Sequence, residues 1–504
     1  MKNKFPAAVA AATLLLWPLQ LARGAGVTII THGLNGNVTD WIVPMAQQIP
    51  LYDSFPGTSF SCYQITVSDS VSQSRIGGVS PLVSDSGEII IKLDWSSRAN
   101  DPFTASQDIA NAVVPSLLSA TFIPELAGRS LAEFPIHLLG HSRGGSVVTE
   151  MARLLGQQGI WVDHQTTLDP APLSEFSDAD VHTFMNVLFA DNYWQMNSDT
   201  FCPDGQSLAG AYNRLLGNLS NGYSCDHSDV HLWYHGTIDW FHTPATDTGA
   251  TITSSERATW WTSYEAQGHL AGFYYSLVGG GNRLSADEPA GAGNGRMRDG
   301  YNQIWDFGAG TSANRHALSS NNGSWPNIIK FDIVTAQPVI QGDNVSLNYF
   351  FQFNQSAAQN ATIQLYLDND SNPYNGNQGQ IFQSIEPGAG TNVLQRQFSV
   401  NSGSISPGQY HVYAQITYGV HTRYLYAPET LAIRSPLSLG IVRSGDQVIV
   451  TWPANAAGFT LESTGNLLLS NSWLPVSPSP SIIGGQNVVS NTIGAEPRFY
   501  RLKK

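Results

Sequence analysis

The sequence predicts an α/β domain with a mostly parallel sheet and helices on both faces, followed by all-β, sandwich-like C-terminal domains. Up to about residue 325, short apolar runs that fit buried strands alternate with segments of helical periodicity. Beyond that position, short runs of alternating hydrophobicity follow one another, separated by Gly, Pro and Asn. Alternating strands and helices are typical of a parallel sheet, whereas consecutive short strands are typical of a sandwich.

The length and composition of the chain limit its organisation and its partners. At 504 residues it is long enough for about two or three domains. We assign residues 1–25 to a signal peptide, 26–325 to the α/β domain, 326–434 to a β-sandwich and 435–504 to a small β-rich module. Charged residues make up only 12% of the chain and the net charge is −14. This balance argues against binding nucleic acid or an anionic membrane through bulk electrostatics.

The N-terminus has the pattern of a secretory signal peptide. Lys2 and Lys4 precede a largely apolar run over residues 5–21, and small residues follow, with cleavage expected after Gly24 or Ala25. A retained membrane anchor is the alternative, but the run is short and a proline interrupts it. We therefore expect a soluble, exported mature protein.

Five buried-strand patterns define the predicted sheet. They are GVTIITHG, EIIIKLDWSS, PIHLLG, WVDHQTTLDP and FMNVLFADNYW, and helical periodicity lies between several of them, including residues 109–118 and 146–155. In sheets of this kind the functional loops follow the carboxyl ends of the strands. The polar residues at these positions are His32, Asp94, Ser142, Asp169 and Asp191.

The third pattern leads into the candidate nucleophile. The stretch FPIHLLGHSRGGSVVTEMARLL, residues 134–155, runs from an apolar strand through Gly-x-Ser-x-Gly into an amphipathic helix. A strand that turns sharply into a helix needs small flanking residues to make room for a strained serine. A serine hydroxyl becomes nucleophilic when a base takes its proton and donors stabilise the oxyanion. Ser142 is the predicted nucleophile, and an ordinary strand–helix turn is the alternative.

Four segments together resemble the α/β-hydrolase superfamily. They are HLLGHSRGG, THGL, KLDWSS and TTLDPAP, and within the superfamily they are most similar to the lipases related to pancreatic and lipoprotein lipase and to their bacterial relatives. The resemblance covers roughly residues 26–320, while the β-rich remainder does not match the C-terminal domain of those lipases. It implies an α/β-hydrolase fold, a Ser–His–Asp triad, and no cofactor or metal ion.

The resemblance also suggests the other two members of the triad. In the lipase group the acid follows the strand after the nucleophile, which is Asp169 here; in most other α/β-hydrolases it follows the next strand, which makes Asp191 the alternative. The base comes later in the chain. The segment SCDHSDVHLWYHG offers His227, His231 and His235, and the Cys-x-His pattern of the lipases matches His227. His231 remains the alternative base.

The oxyanion hole needs two backbone N–H groups. By resemblance these belong to Arg143, which follows the nucleophile, and to Leu34, which follows His-Gly. His32 and Gly33 would shape the loop that carries the second donor.

The segment before the candidate base resembles a lipase lid. Residues 203–224 lie between Cys202 and Cys225, which we expect to form a disulfide, leaving Cys62 unpaired and buried. Apolar residues recur there at helical spacing: Leu208, Ala211, Tyr212, Leu215, Leu216 and Leu219. A mobile lid helix would expose this stripe to a lipid surface, and a helix packed permanently in the core is the alternative.

In the sandwich, the segment LDNDSNPYNGN places Asp368, Asp370 and Asn372 at alternate positions. Their oxygens could bind Ca²⁺, but the segment lacks the glycine and terminal glutamate of an EF-hand loop. A polar hairpin tip is the preferred interpretation.

The predicted function is that of a secreted serine hydrolase that cleaves carboxylic esters, lipidic ones above all, through an acyl-enzyme on Ser142. Its partner would be an ester or lipid substrate at a lipid–water interface, and the C-terminal β domains could attach it to a cell surface. The alternative is a surface binding or adhesion protein that keeps the fold without the chemistry. We expect a fragment that ends near residue 325 to retain esterase activity.

Overall fold

The computed structural model describes most of the chain. The described residues are 26–50, 60–81, 88–197, 202–217, 219, 222–238, 252–253, 257–261, 272–276, 315–320, 323–376, 378–427, 429–454, 458–469 and 471–503. The predicted signal peptide lies outside them. The chain divides into two compact units, of which the first comprises Met1–Thr335, Ser346–Val400 and Gln409–Leu431, and the second comprises Ala336–Val345, Asn401–Gly408 and Ala432–Lys504. The domain boundaries given above remain predictions.

An eight-stranded sheet organises the first unit. Its strands are β1 Val27–Thr31, β2 Phe60–Val67, β3 Val71–Gly78, β4 Glu88–Asp94, β5 Ile136–His141, β6 Val162–Leu168, β7 Val187–Trp194 and β8 Tyr212–Leu215. The order is β3-β2-β4-β1-β5-β6-β7-β8. All neighbours run parallel except β2 and β3, which form an antiparallel pair. Every residue of β1, β5 and β6 is buried, as expected for strands in the middle of a parallel sheet.

Five α-helices lie in the described part of the chain: α1 Ile42–Gln48, α2 Ser106–Leu118, α3 Arg143–Gln157, α4 Asp226–Gly236 and α5 Arg257–Trp260. The helices predicted over residues 109–118 and 146–155 correspond to α2 and α3. Both bury apolar side chains in one cluster with the sheet, including Ile109 and Val113 of α2 and Val147 of α3. Apolar periodicity therefore located these two helices.

The predicted α/β-hydrolase class, and the resemblance on which it rested, are nevertheless wrong. Helix accounts for 17% and strand for 41% of the described residues, so this part of the chain is predominantly β, with several sheets, and the main sheet curls like a half-barrel. Two connections within the described residues lack the crossover helix that this class requires. Between β6 and β7 the chain forms only a short 3₁₀ turn, Ser174–Phe176, and β2 is followed by the hairpin strand β3.

The predicted lid helix is also wrong. Within the described residues of the 203–224 segment, the chain forms strand β8, which pairs in parallel with β7 from Tyr212 to Leu215. Tyr212, Leu216 and Leu219 are buried in an apolar cluster with α1 and α4, whereas Leu215 is half exposed. The spacing of the apolar residues predicted a helix, but backbone hydrogen bonds to β7 make this segment a strand. Most of its apolar side chains belong to the core.

Further strands follow in the first unit and at its junctions with the second. They are β9 Asn327–Ile333, β10 Val339–Ile340, β11 Asn344–Gln352, β12 Asn360–Asp368, β13 Gly379–Pro387, β14 Val393–Asn401, β15 Gly408–Tyr418, β16 His421–Tyr426 and β17 Leu431–Arg434. One sheet has the order β14-β11-β9. In another, β12 pairs antiparallel with β13 and β15, and β15 pairs antiparallel with β16.

The side chain of Arg423, on β16, is buried against the main sheet within the first unit. It donates to Asp163 Oδ2 at 3.1 Å, to Asn327 Oδ1 at 2.8 Å, and to the carbonyl oxygens of Trp161 and Phe134 at 2.6 and 3.2 Å. A guanidinium group can leave water only when its donors find such partners. The ion pair with Asp163 therefore links β16 firmly to β6.

Aromatic side chains extend this contact. Tyr413, Tyr424 and Tyr426 belong to the same apolar cluster as the strands and helices of the main sheet. Tyr374 donates to Glu133 Oε2 at 2.7 Å. A fragment that ends near residue 325 would lack all of them. These contacts argue against the activity expected above for that fragment.

The second unit is built mainly from strands β18 Gly440–Ser444, β19 Gln447–Pro453, β20 Thr460–Thr464, β21 Leu474–Pro475, β22 Ser481–Ile483, β23 Gln486–Thr492 and β24 Phe499–Lys503. They form one sheet in the order β18-β19-β23-β22 and another in the order β21-β20-β24. A small core lies between them, made of Val450, Trp452, Leu461 and Val489.

The predicted disulfide between Cys202 and Cys225 is confirmed, and Cys62 is free and buried. Intramolecular disulfides are typical of proteins outside the cytosol. Among the described residues, no helix has the length and apolarity needed to cross a bilayer.

The oxygens of Asp368 and Asp370, considered above as an alternative Ca²⁺ site, make hydrogen bonds within the protein. Asp368 Oδ2 accepts from the Tyr426 hydroxyl at 2.7 Å, and Asp370 Oδ2 accepts from Asn375 Nδ2 at 2.7 Å. Burial raises the pKa of Asp368 to about 6. In the described part of the chain, no group of three or more His, Cys, Asp or Glu side chains is placed to hold a metal ion.

We predict that Arg423→Met lowers the free energy of unfolding by about 3–5 kcal/mol, because Asp163 would keep a buried charge without its partner. Guanidinium denaturation would measure the loss. The matched control is Arg98→Met, which removes solvent-exposed ion pairs with Asp69 and Asp101 and should change stability little. Equal losses in the two variants would contradict a structural role for the buried pair.

Candidate active site

Three neighbouring parallel strands bring the candidate residues to one edge of the main sheet. Thr31 of β1 pairs with Gly140 of β5, and His141 of β5 pairs with Leu168 of β6. The residues that follow these strands therefore lie side by side. The N–H of Ser142 donates to the carbonyl of Leu168 at 3.0 Å, which places the serine next to the start of the loop that carries Asp169.

Ser142 occupies a constrained turn between β5 and α3. Its φ is 58° and its ψ is −128°, a conformation that costs a non-glycine residue about 1–3 kcal/mol. A Cβ on Gly140 would lie 2.2 Å from the carbonyl oxygen of Gly144, and a Cβ on Gly144 would lie 2.5 Å from that of His32. Both flanking glycines are thus required by close backbone approach. This is the physical basis of the Gly-x-Ser-x-Gly pattern here.

Asp169 and His227 form the central polar contact of the site. His227 lies in the first turn of α4, and its Nδ1 is 2.6 Å from Oδ2 of the fully buried Asp169. Nδ1 must donate if the carboxylate is ionised, so Nε2 is left as an acceptor. This is the tautomer that a general base needs.

Gln195, a residue that the sequence analysis missed, holds the Asp169 carboxylate in place. Its N–H donates to Oδ1 and its Nε2 donates to Oδ2, both at 2.9 Å. Gln195 Nε2 also donates to the Pro203 carbonyl at 2.9 Å. A Cβ on Gly205 would lie only 2.0 Å from Asp169 Oδ1, so this loop presses directly on the carboxylate. Gln195 directly follows the carboxyl end of β7, where functional residues of parallel sheets are expected. This position was the sequence signal that could have identified it.

The disulfide joins the two sides of this contact. Cys202 begins the loop that contains Pro203 and Gly205, and Cys225 precedes His227 by two residues. The Cα atoms of the two cysteines are 5.7 Å apart. The bond therefore tethers the segment beside the carboxylate to the helix that carries the imidazole.

The alternative acid, Asp191, lies inside β7 rather than at its end. It accepts hydrogen bonds from Thr166 Oγ1 at 2.6 Å and from the Tyr193 hydroxyl at 3.0 Å, and its Oδ1 is 2.8 Å from His164 Nε2. These partners belong to the interior of the sheet. The structure does not bring Asp191 to His227.

The alternative base, His231, faces an aromatic environment. Its ring stacks on Trp41, with ring centroids 4.5 Å apart, and meets His141 edge-on at 4.8 Å. Burial lowers the pKa of His231 well below its usual value, so the ring is neutral near pH 7. His235, the third histidine of the segment, is buried further along α4.

His141, directly before Ser142, contacts the segment that carries the candidate base His227. Its Nε2 is 2.8 Å from the carbonyl oxygen of His227, and the two rings lie 4.6 Å apart. A carbonyl only accepts, so Nε2 carries the proton. Burial lowers the pKa of His141 well below its usual value, which keeps the ring neutral. We infer that His141 positions His227 relative to the serine.

The predicted oxyanion loop packs against the candidate nucleophile. A Cβ on Gly33 would lie 2.6 Å from Ser142 Cβ and 2.9 Å from its Oγ, so only glycine fits. His32 Nδ1 donates to the Gly33 carbonyl at 3.0 Å, and His32 Nε2 accepts from the N–H of Trp95 at 3.3 Å. These bonds fix the loop that presents Leu34.

The side chain of Arg143 is fully buried, and its donors are bonded to other parts of the protein. Its guanidinium makes two bonds to the Asp178 carboxylate, at 2.6 and 2.7 Å, and donates to the carbonyls of Ala99 and Thr104 at 2.6 and 2.9 Å. Arg143 is the first residue of α3, where backbone N–H groups have no partner within the helix. The N–H, not the guanidinium, is what this residue can offer an oxyanion.

Comparison of the chain with protein-family models and with curated proteins finds no match. The functional proposal therefore depends on the geometry of the site.

We predict that His141→Phe lowers kcat on a soluble ester by about 2- to 13-fold, with little change in KM. The variant loses the hydrogen bond that positions His227, which contributes about 0.5–1.5 kcal/mol. Steady-state kinetics would measure it. His316→Phe, whose ring packs on His182, is the matched control and should keep normal turnover. An unchanged kcat for His141→Phe would show that its contact with His227 does not matter for reaction.

Proposed function

We propose that the protein is an exported serine hydrolase that cleaves carboxylic esters through an acyl-enzyme on Ser142. The observation that carries the proposal is the 2.6 Å contact between Asp169 and His227, at the sheet edge where Ser142 occupies its constrained turn. A buried carboxylate with three donors and an oriented imidazole is the arrangement that activates a serine.

In this mechanism His227 Nε2 takes the proton of the Ser142 hydroxyl as the oxygen attacks the ester carbonyl. Asp169 stabilises the resulting imidazolium, and the proton then passes to the leaving alcohol. His227 next removes a proton from water as the water attacks the acyl-enzyme, and it then returns that proton to Ser142 Oγ as the acid is released. The backbone N–H groups of Leu34 and Arg143 would bind the oxyanion. Each donor of this kind typically stabilises the transition state by about 2.7–4 kcal/mol. No cofactor is invoked.

Exposed apolar side chains support an apolar, lipidic ester as substrate. Phe103 follows β4 and is 91% exposed, and Met196 follows β7 and is 59% exposed. Leu34 follows β1, and Leu215 ends β8; both are partly exposed. Because these strands are parallel, their carboxyl ends lie at the edge that carries Ser142. An apolar rim favours acyl chains over polar substrates.

Export is proposed from two features. The first is the signal-peptide pattern at the N-terminus, and the second is the disulfide beside the site, which an oxidising compartment would preserve. Attachment to a cell surface through the C-terminal β domains remains a prediction.

A fluorophosphonate probe tests the proposal directly. We expect the folded protein to be labelled at Ser142, and Ser142→Ala to abolish both labelling and hydrolysis of a soluble short-chain ester. Intact-mass measurement after labelling would identify the adduct. Absence of labelling on folded protein would instead favour a binding or adhesion protein without catalysis.

The choice of acid makes a separate prediction. Asp169→Asn should lower kcat by about ten-thousand-fold, because it removes the charge that stabilises the imidazolium and favours the wrong tautomer. Asp191→Asn, assayed as folded protein, should lower kcat far less. Steady-state kinetics on one soluble ester would rank the variants. The opposite ranking would assign the acid to Asp191.

A further inference from the structure

The second unit exposes three consecutive leucines on the turn that follows β20. Leu467, Leu468 and Leu469 are 56%, 92% and 53% exposed, and we call these three residues the leucine turn. The next strand, β21, begins with Leu474, which is 67% exposed. Single exposed leucines are ordinary on protein surfaces, whereas a contiguous group marks a site of interaction.

The leucine turn contributes nothing to the core of its own unit. That core consists of Val450, Trp452, Leu461 and Val489, with partly buried neighbours such as Tyr500. The strands on either side of the turn are already paired, since β20 contacts both β21 and β24. Folding of the unit therefore does not explain three large apolar side chains in water.

Part of the backbone of the turn is hydrogen bonded internally. The N–H of Leu468 donates to Asn466 Oδ1 at 2.9 Å, and the Leu469 carbonyl accepts from Ser472 Oγ at 2.7 Å and from its N–H at 3.2 Å. The Asn466 carbonyl accepts from the Thr464 hydroxyl at 3.1 Å. Of the leucine turn itself, only the Leu468 N–H and the Leu469 carbonyl are bonded in this way among the described residues. The other backbone groups need water or polar headgroups, because hydrocarbon cannot satisfy them. The turn is therefore suited to the hydrated interfacial layer of a lipid surface rather than to its hydrocarbon centre.

The residues beside the turn are suited to the boundary between hydrocarbon and lipid headgroups. Trp473 lies between the turn and β21, and the Arg501 guanidinium sits 4.3 Å from the centre of its ring. Lys503 is 60% exposed at its side chain, and both cations pair with Glu462. Aromatic and basic side chains with apolar stems are favoured where hydrocarbon meets headgroups.

We propose that the leucine turn inserts into the interfacial layer of a lipid surface and anchors the C-terminal module there. The turn supplies buried apolar area, and Trp473, Arg501 and Lys503 remain at headgroup level. This proposal goes beyond ester hydrolysis and does not require it, because none of these residues belongs to the candidate active site.

The test measures binding of the full chain to phosphatidylcholine vesicles by co-sedimentation. All proteins carry Ser142→Ala, so that lipid cleavage cannot alter the vesicles. We expect Leu468→Asp to weaken partitioning at least about tenfold, because a leucine that leaves water on binding is replaced by a charge. The matched control is Val420→Asp, at the 88% exposed tip of the β15–β16 hairpin, and it should bind like the parent. Both sites are exposed, so unfolding is not expected.

A second measurement reports insertion itself. An environment-sensitive nitrobenzoxadiazole label on Leu468→Cys should shift to the blue when vesicles are added, and the same label on Val420→Cys should not. Cys62 is buried and the other cysteines are paired, so the label goes to the new thiol. Three results would overturn the proposal: no binding by the parent, equal loss in the two aspartate variants, or a dimer in sedimentation equilibrium that Leu468→Asp dissociates. The last would assign the turn to a second copy of the chain.

Discussion

The hydrogen bond between Asp169 and His227 joins residues 58 positions apart, and much of the surrounding structure serves to keep it short. Strand β6 delivers the carboxylate to the sheet edge, Gln195 supplies two donors from the end of β7, and the disulfide ties the adjoining loop to α4. Each support comes from a different segment. Removing the donors would destabilise the buried carboxylate and would also free it to change orientation. The contact with His227 therefore depends on these supporting residues.

Strand β6 is also held at its opposite end. Asp163 lies near the start of the strand and pairs with Arg423, while Asp169 follows its last residue. The interior of the strand is fully buried and contains His164, Gln165 and two threonines besides its apolar residues. Polar groups at such positions require fixed partners, which makes β6 a rigid element between the β-rich layer that carries Arg423 and the candidate site.

The sequence predicted those features that depend on local constraints. The glycines around Ser142 are needed by atoms only a few residues away, and α2 and α3 follow from apolar periodicity. Contacts between residues far apart in the sequence could not be predicted. Gln195 contacts Asp169 and His141 contacts His227 only because folding brings these residues together. The segment of Tyr212 to Leu215 had helical spacing, yet pairing with β7 made it a strand. The same limit explains the wrong fold class, because local motifs at strand ends do not reveal whether the connections between strands are helical.

The position of the disulfide has a consequence for where the site can exist. In the reducing cytosol, Cys202 and Cys225 would remain thiols, and the loop beside Asp169 would be free to separate from α4. Oxidation after transfer across a membrane would close the loop and bring the His227 imidazole to the Asp169 carboxylate. A hydrolase built in this way would be harmless to the lipids of the cell that makes it, since its competence would arise only outside.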